Sequence, residues 1–175
     1  MRLPLSFAIL VLVLATVPVP RPALADPVPE PDMKAAFIFN FAVFTEWPAE
    51  TLPANAPLTV CARAKAALYP VLAQLADKVV NGHKVSIKPT PATLRDCHLL
   101  YLDAGDRERW AQLKRDLAGS AVLTVSDDRG IGSDGAVIFL EMENQRLAFD
   151  IVLGAARTAR LNLSSKLLRL ARTVQ

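Results

Sequence analysis

Apolar residues in this chain come in short blocks, some spaced for helices and some for strands, and the two kinds alternate. The densest block is 34–48, Lys-Ala-Ala-Phe-Ile-Phe-Asn-Phe-Ala-Val-Phe-Thr-Glu-Trp-Pro, with Phe37, Phe41 and Phe44 at i, i+4 and i+7. Ile38, Phe39, Ala42 and Val43 fill most of the remaining circumference, leaving Lys34 and Asn40 as polar exceptions. A helix apolar nearly all round belongs inside a fold or under a partner, and a core position is the favoured reading. Asp32 is the expected N-cap. Pro48 cannot continue the helix and pushes Trp47 toward extended geometry, which predicts an end near Thr45.

Downstream, 58–63 has strand composition, and Leu68, Leu72 and Leu75 share one face of a helix over 66–76. Asn81-Gly82 marks a turn into a strand at 84–88. A short buried strand is expected at 99–102, and an amphipathic helix over 107–117 with Trp110, Leu113 and Leu117 inward. Strands follow at 121–125, 136–142 and 146–150, the last two forming a hairpin through Glu143-Asn144-Gln145. Helices at 151–159 and 164–173 close the chain, the second capped by Ser164. Strands alternating with helices predict an α/β fold: a single three-layer domain, a mostly parallel sheet flanked by helices, with a C-terminal β-hairpin. Roughly 145 residues suffice for one such core.

The amino-terminal block is of another kind. Met1-Arg2 is a short basic start, the run from Leu3 to Val17 is almost wholly apolar, and Ala23-Leu24-Ala25 has the small-x-small pattern of a signal-peptidase site. Residues 1–25 are read as a cleaved secretory signal rather than a retained anchor, because the apolar run is shorter than the ~20 residues a spanning helix needs. Residues 26–31, Asp-Pro-Val-Pro-Glu-Pro, form a Pro-rich lead-in to a domain over 32–175. The mature protein is expected to be soluble outside the cytoplasm, with no direct membrane insertion after cleavage.

Signal removal changes the charge argument. The chain carries 20 Lys and Arg against 17 Asp and Glu, and losing Arg2 and Arg21 leaves 18 against 17, or +1. The basic pI of the whole chain is therefore no argument for nucleic acid. Residues 151–175 hold Arg157, Arg160, Lys166, Arg169 and Arg172 with no acid, a local +5 against 13 − 17 = −4 for the rest of the mature chain. Such a run is either a basic face for an acidic partner or anionic lipid, or a solvated helix face of the sign its dipole favours.

Candidate chemistry is sparse. Export favours a structural disulfide between the only two cysteines, Cys61 and Cys97, over catalytic or metal-binding thiols. Gly130-Ile131-Gly132-Ser133-Asp134-Gly135 has the spacing of a dinucleotide fingerprint, but that motif must open a helix, and strand composition follows here. The glycines are read as a turn. Asp127-Asp128 beside Arg129 is read as a salt-bridged or Asx-turn loop rather than a cation site. No nucleophile elbow or His-Glu-x-x-His pattern exists, so neither catalysis, a cofactor nor a metal is expected.

Five segments, in order, resemble the YfiR-like family of periplasmic proteins: 34–48, Leu58-Thr59-Val60-Cys61, Val80-Asn81-Gly82-His83-Lys84-Val85, Asp96-Cys97-His98-Leu99-Leu100-Tyr101-Leu102, and Phe149-Asp150-Ile151-Val152-Leu153 leading into 161–171. The resemblance implies a regulator rather than an enzyme. It implies a protein that binds the periplasmic part of a membrane-anchored diguanylate cyclase or related sensor, holding down cyclic-di-GMP synthesis and biofilm formation. It also implies a Cys61–Cys97 disulfide, while the second cysteine pair of the best-known regulator is lacking. Expected contacts are the loop and hairpin with Ile131, Glu141 and Arg146, and the basic face with Arg157, Arg160 and Arg169. An exposed strand edge would support a homodimer. The alternative is a periplasmic module that binds a small ligand or cell-wall fragment.

Overall fold

The computed structural model describes residues 28–175, so the signal segment expected at 1–25 lies outside the described residues. Helix α1 (Glu30–Val43) starts at Pro29, ahead of the expected cap. Pro31 suits the first turn because its fixed φ is helical and its missing N–H would have no partner there, while Glu30 and Asp32 complement the helix dipole. Asp32 therefore stands inside the helix, and the Pro-rich lead-in runs into it. The inward residues are Ala35, Ile38, Phe41 and Ala42; Phe37 and Phe44 are only half-buried. Phe37 and Phe41 both meet the ring of Phe149, at 6.1 and 4.9 Å between centroids, which fixes the helix on the sheet.

The chain then forms β1 (Thr45–Glu46), the five buried residues of β2 (Leu58–Ala62), and α2 (Tyr69–Ala73). Pro70 in the first turn sets the start of α2, leaving it shorter than expected, yet Leu68, Leu72 and Leu75 are all buried as their spacing requires. β3 (Val79–Val80) and β4 (His83–Pro89) form a hairpin whose turn residues Asn81 and Gly82 have φ of 49° and 87°, the positive values a two-residue turn demands. β5 (Leu99–Leu102) lies where expected, and α3 (Trp110–Asp116) buries Trp110 and Leu113.

After β6 (Leu123–Ser126) the glycine segment differs from the sequence reading. Its first part is a one-turn helix, α4 (Arg129–Ser133), capped by Asp128, whose Oδ1 accepts the Ile131 N–H at 3.0 Å. Gly132 is there for space: a Cβ would stand 2.5 Å from Cδ2 of Phe139. Only Gly135, at φ +99°, makes the turn. β7 (Ile138–Glu143) and β8 (Arg146–Ile151) form the expected hairpin, followed by α5 (Leu153–Thr158), β9 (Asn162–Leu163), α6 (Ser165–Leu170) and β10 (Thr173–Val174). Ser164 caps α6 by accepting the Leu167 N–H.

The main sheet has the order β10-β8-β7-β6-β5-β2-β4-β3, and a separate antiparallel pair joins β1 to β9. β4, β2, β5, β6 and β7 are parallel; β8 runs antiparallel to β7. Period-two alternation sends Leu99 and Tyr101 to a large apolar cluster with α1 and α2, and Leu100 and Leu102 to a smaller one with α3 and Ile131 of α4. The three-layer α/β architecture thus holds.

Candidate functional site

The chain leaves β2 to form β4 on one side, then crosses back to form β5 on the other. The carboxyl ends of β2 and β5 therefore flank a topological switch point, where open α/β sheets place their crevice. The Cys61–Cys97 disulfide, with its Cα atoms 5.8 Å apart and both residues fully buried, ties β2 to the residue pair that leads into β5. The expected pairing is therefore present, in the smaller apolar cluster on the sheet face opposite α1.

Three of the parallel strands end on charge. Arg63 follows β2, Asp103 follows β5, and Asp127-Asp128 follow β6. The Arg63 guanidinium pairs with Asp103 and lies 3.7 Å from Asp106 Oδ1. It crosses the backbone so closely that a Cβ on Gly105 would sit 2.0 Å from its Nη2. Asp103 and Asp106 also close a capping box over the turn that follows, with the Asp103 N–H donating to Asp106 Oδ2 at 3.2 Å. Burial pushes the Asp106 carboxyl up, partly offset by its hydrogen bond from Asp103.

Lys34 reaches over from α1 to Asp127 and Glu30, at 2.6 Å from each. Burial alone would pull its ammonium down; the two carboxylates win, and it stays above its ordinary value. Tyr101 lies below, its phenol driven upward by burial and then by the Asp127 charge. Together with Pro31, Ala67 and Leu68 these groups line a crevice of about 200 Å³. Beside it, Asp128 is held by Arg107, whose hydrogen bonds keep the carboxyl below the usual range. Asp128 caps the α4 N-terminus, the place a phosphate takes in the motif that the glycine spacing resembled.

Most of this constellation escaped sequence reading, which singled out the Asp127-Asp128 loop and, without a partner for it, Lys34 as a polar exception on its helix. The usable signal was positional: a charged residue directly after each of three apolar strands. Among the described residues, no group of three or more His, Cys, Asp or Glu is arranged to hold a metal ion.

The residues expected to contact a partner are scattered differently. Ile131 is fully buried under α3 and offers no surface, because α4 turns it into the smaller core. Glu141 is partly covered and engaged by Arg129 and Arg172. Arg146 is exposed at the hairpin tip, and Arg157 is exposed on α5. Arg160 reaches Glu50 at 2.7 Å. On α6, Lys166, Arg169 and the exposed Leu170 share one face by helical spacing, with Lys166 Nζ 5.0 Å above the Phe44 ring. Arg172, also in the basic run, is spent internally on Asp150, Glu141 and Glu143. The structure thus separates Arg157 and Arg169, which make no ion pair among the described residues, from basic residues that do.

Strand order, crossover and disulfide define the class: a doubly wound α/β domain with a stapled switch point. Its fold is similar to that of a conserved domain protein from Vibrio cholerae known from a crystal structure, with a TM-score of 0.56 and 11% identity over 83% of this chain and 60% of that one. The chain thus spans about 60% of that relative's length. No curated protein matches it. Residues 31–172, almost everything described, match the YfiR/HmsC-like family, and the chain belongs to it.

Proposed function

We propose that this protein is a periplasmic regulator of diguanylate cyclase signalling, exported with a signal cleaved near Ala25 and acting through its domain at 32–175. It docks on the periplasmic part of a membrane-bound diguanylate cyclase or related sensor and favours the inactive state by differential affinity, lowering cyclic-di-GMP and biofilm formation. The observation that carries this reading is the family match over residues 31–172. No helix among the described residues is long and apolar enough to cross a membrane, which is compatible with a regulator that reaches its target by docking.

Arg157 and Arg169 are the docking cations, with Arg160, Glu141 and Arg146 as secondary contacts, and buried Ile131 is no longer among them. Exposed cations without internal partners steer an acidic partner and cost nothing to release. Affinity capture from membranes of the native host with the tagged protein tests the reading. Recovery of a membrane-anchored diguanylate cyclase, lost with R157E/R169E, is the expected result. A capture without any cyclase would move the assignment to the second reading, a small-ligand or cell-wall-fragment module. That reading is favoured by the crevice at the switch point.

A further inference from the structure

The chain has only two histidines, and both hold the same segment. Residues 47–57, Trp-Pro-Ala-Glu-Thr-Leu-Pro-Ala-Asn-Ala-Pro, link β1 to β2 without a strand or helix of their own. Two short turns closed on the Pro48 and Pro53 carbonyls are the segment's only internal backbone hydrogen bonds. The rest of its support comes from outside. His83 of β4 donates from Nδ1 to the Ala56 carbonyl at 2.8 Å, and His98, just ahead of β5, donates from Nε2 to the Thr51 carbonyl at 3.1 Å. A carbonyl only accepts, so these two nitrogens carry protons. Leu52 is buried, and Glu50 reaches Arg160 at 2.7 Å.

The two rings differ at their second nitrogen. Nδ1 of His98 accepts the Thr59 N–H at 2.9 Å, so the neutral ring bridges β2 to the segment. The His98 carbonyl takes the Trp47 indole N–H at 3.0 Å, and the two rings meet edge to face, 6.4 Å apart. A proton on Nδ1 would set donor against donor and strand the N–H of Thr59, a residue 3% exposed. Among the described residues, no charged neighbour favours that proton. His83 and Lys88, both on β4, act against it. β2 carries no charged residue, Glu46 of β1 is bound by Asn162, and Glu50 is turned to Arg160. Arg95 and Asp96, just upstream of the ring, are exposed.

We infer that residues 47–57 form a strap that neutral His98 holds shut and that acid releases. Once doubly protonated, the ring must leave Thr59; it is 8% exposed with Thr51 and Trp47 against it, and it reaches water as the strap lifts. The strap moves rather than β2, because β2 is paired on both sides and stapled at Cys61, whereas the strap belongs to no ladder. His83 keeps its donor to Ala56 in either protonation state, so that end is the hinge. Lifting uncovers a cavity of about 170 Å³ lined by Trp47, Leu52, Leu58 and Val80, and it draws Glu50 away from Arg160. The release does not rest on the cyclase reading; only its effect at Arg160, a secondary docking contact, does.

The test is hydrogen exchange of the folded protein, read by NMR across a pH series and corrected for the intrinsic pH dependence of exchange. The reporters are the Thr59 amide and the Trp47 indole N–H, both bonded to His98 when the strap is shut. Burial depresses the His98 pKa, so opening should rise about tenfold per pH unit below the ordinary value of about 6.5, until the folded value is reached. Both reporters should exchange faster than the Val125 amide of β6 at every pH, and H98Q should flatten their pH dependence. Ring nitrogen signals of His98 supply a check that needs no variant: the Nε2–H tautomer at neutral pH, and titration in step with the reporters. Reporters that exchange only at the rate of Val125 would overturn the strap, by showing that it opens only with the whole domain. An unchanged pH dependence in H98Q, or a ring that titrates while the reporters stay protected, would overturn the role of His98.

Discussion

The switch point and the C-terminal basic face are both rich in charge, and they use it in opposite ways. At the switch point Arg63, Lys34 and Arg107 each meet a carboxylate within the same chain, and a disulfide ties β2 to the segment that leads into β5. On the basic face, Arg157 and Arg169 have no such partner among the described residues, and Lys166 rests only on an aromatic ring. Charge already satisfied holds a structure; charge left open is available to another molecule. The comparison predicts that damage at the first region is read in stability and damage at the second in function.

The largest break should come from the staple. Replacing both cysteines by alanine frees a 36-residue separation and should cost about 4 kcal/mol in the chain-entropy view, measured as a lower denaturation midpoint. Next, D128A removes both the α4 cap and the partner of Arg107, for a loss of about 2 kcal/mol. D128N keeps the cap and should lose roughly half as much, which separates the two contributions. Because the Asp128 carboxyl is held below its ordinary value when folded, its contribution is present at neutral pH and is lost as pH falls through that depressed value.

A smaller effect, at a third place, sharpens the contrast. His98 is buried; its Nδ1 accepts the Thr59 N–H at 2.9 Å, so Nε2 carries the proton and donates to the Thr51 carbonyl at 3.1 Å. Burial, with Lys88 and His83 nearby, lowers its pKa, while the bond to Thr51 opposes the shift. The neutral ring therefore contributes stability above the ordinary value of about 6.5, lost as pH falls from there through the folded value. Stability should fall more steeply between pH 7 and 5 in the wild type than in H98Q. Smallest in stability is R157E/R169E, expected within about 0.5 kcal/mol of wild type by chemical denaturation, while repression is lost.

What the sequence made legible follows the same division. Runs such as Leu99–Leu102 and the spacing of Leu68, Leu72 and Leu75 report burial directly, because one period fixes one face. Two-residue strands such as β9 and β10 carry no period, and their pairing depends on partners more than twenty residues or even a hundred residues away. The α4 turn was hidden because its helix is stabilised by the Asp128 cap and the Phe139 ring rather than by its own glycine-rich composition. The switch-point cluster was hidden for a related reason. Arg63, Asp103 and Asp127 look like ordinary loop charges until the crossover brings their strand ends side by side.

Cyclic-di-GMP in the native host, compared among wild type, a strain lacking the gene, and that strain complemented with the wild-type or R157E/R169E chain, is the most direct test of the regulatory account. The account predicts a rise on deletion that the wild-type chain reverses and the stably folded double variant does not. Levels unchanged by deletion would contradict the regulatory claim, and full reversal by the double variant would contradict the placement of docking on the basic face.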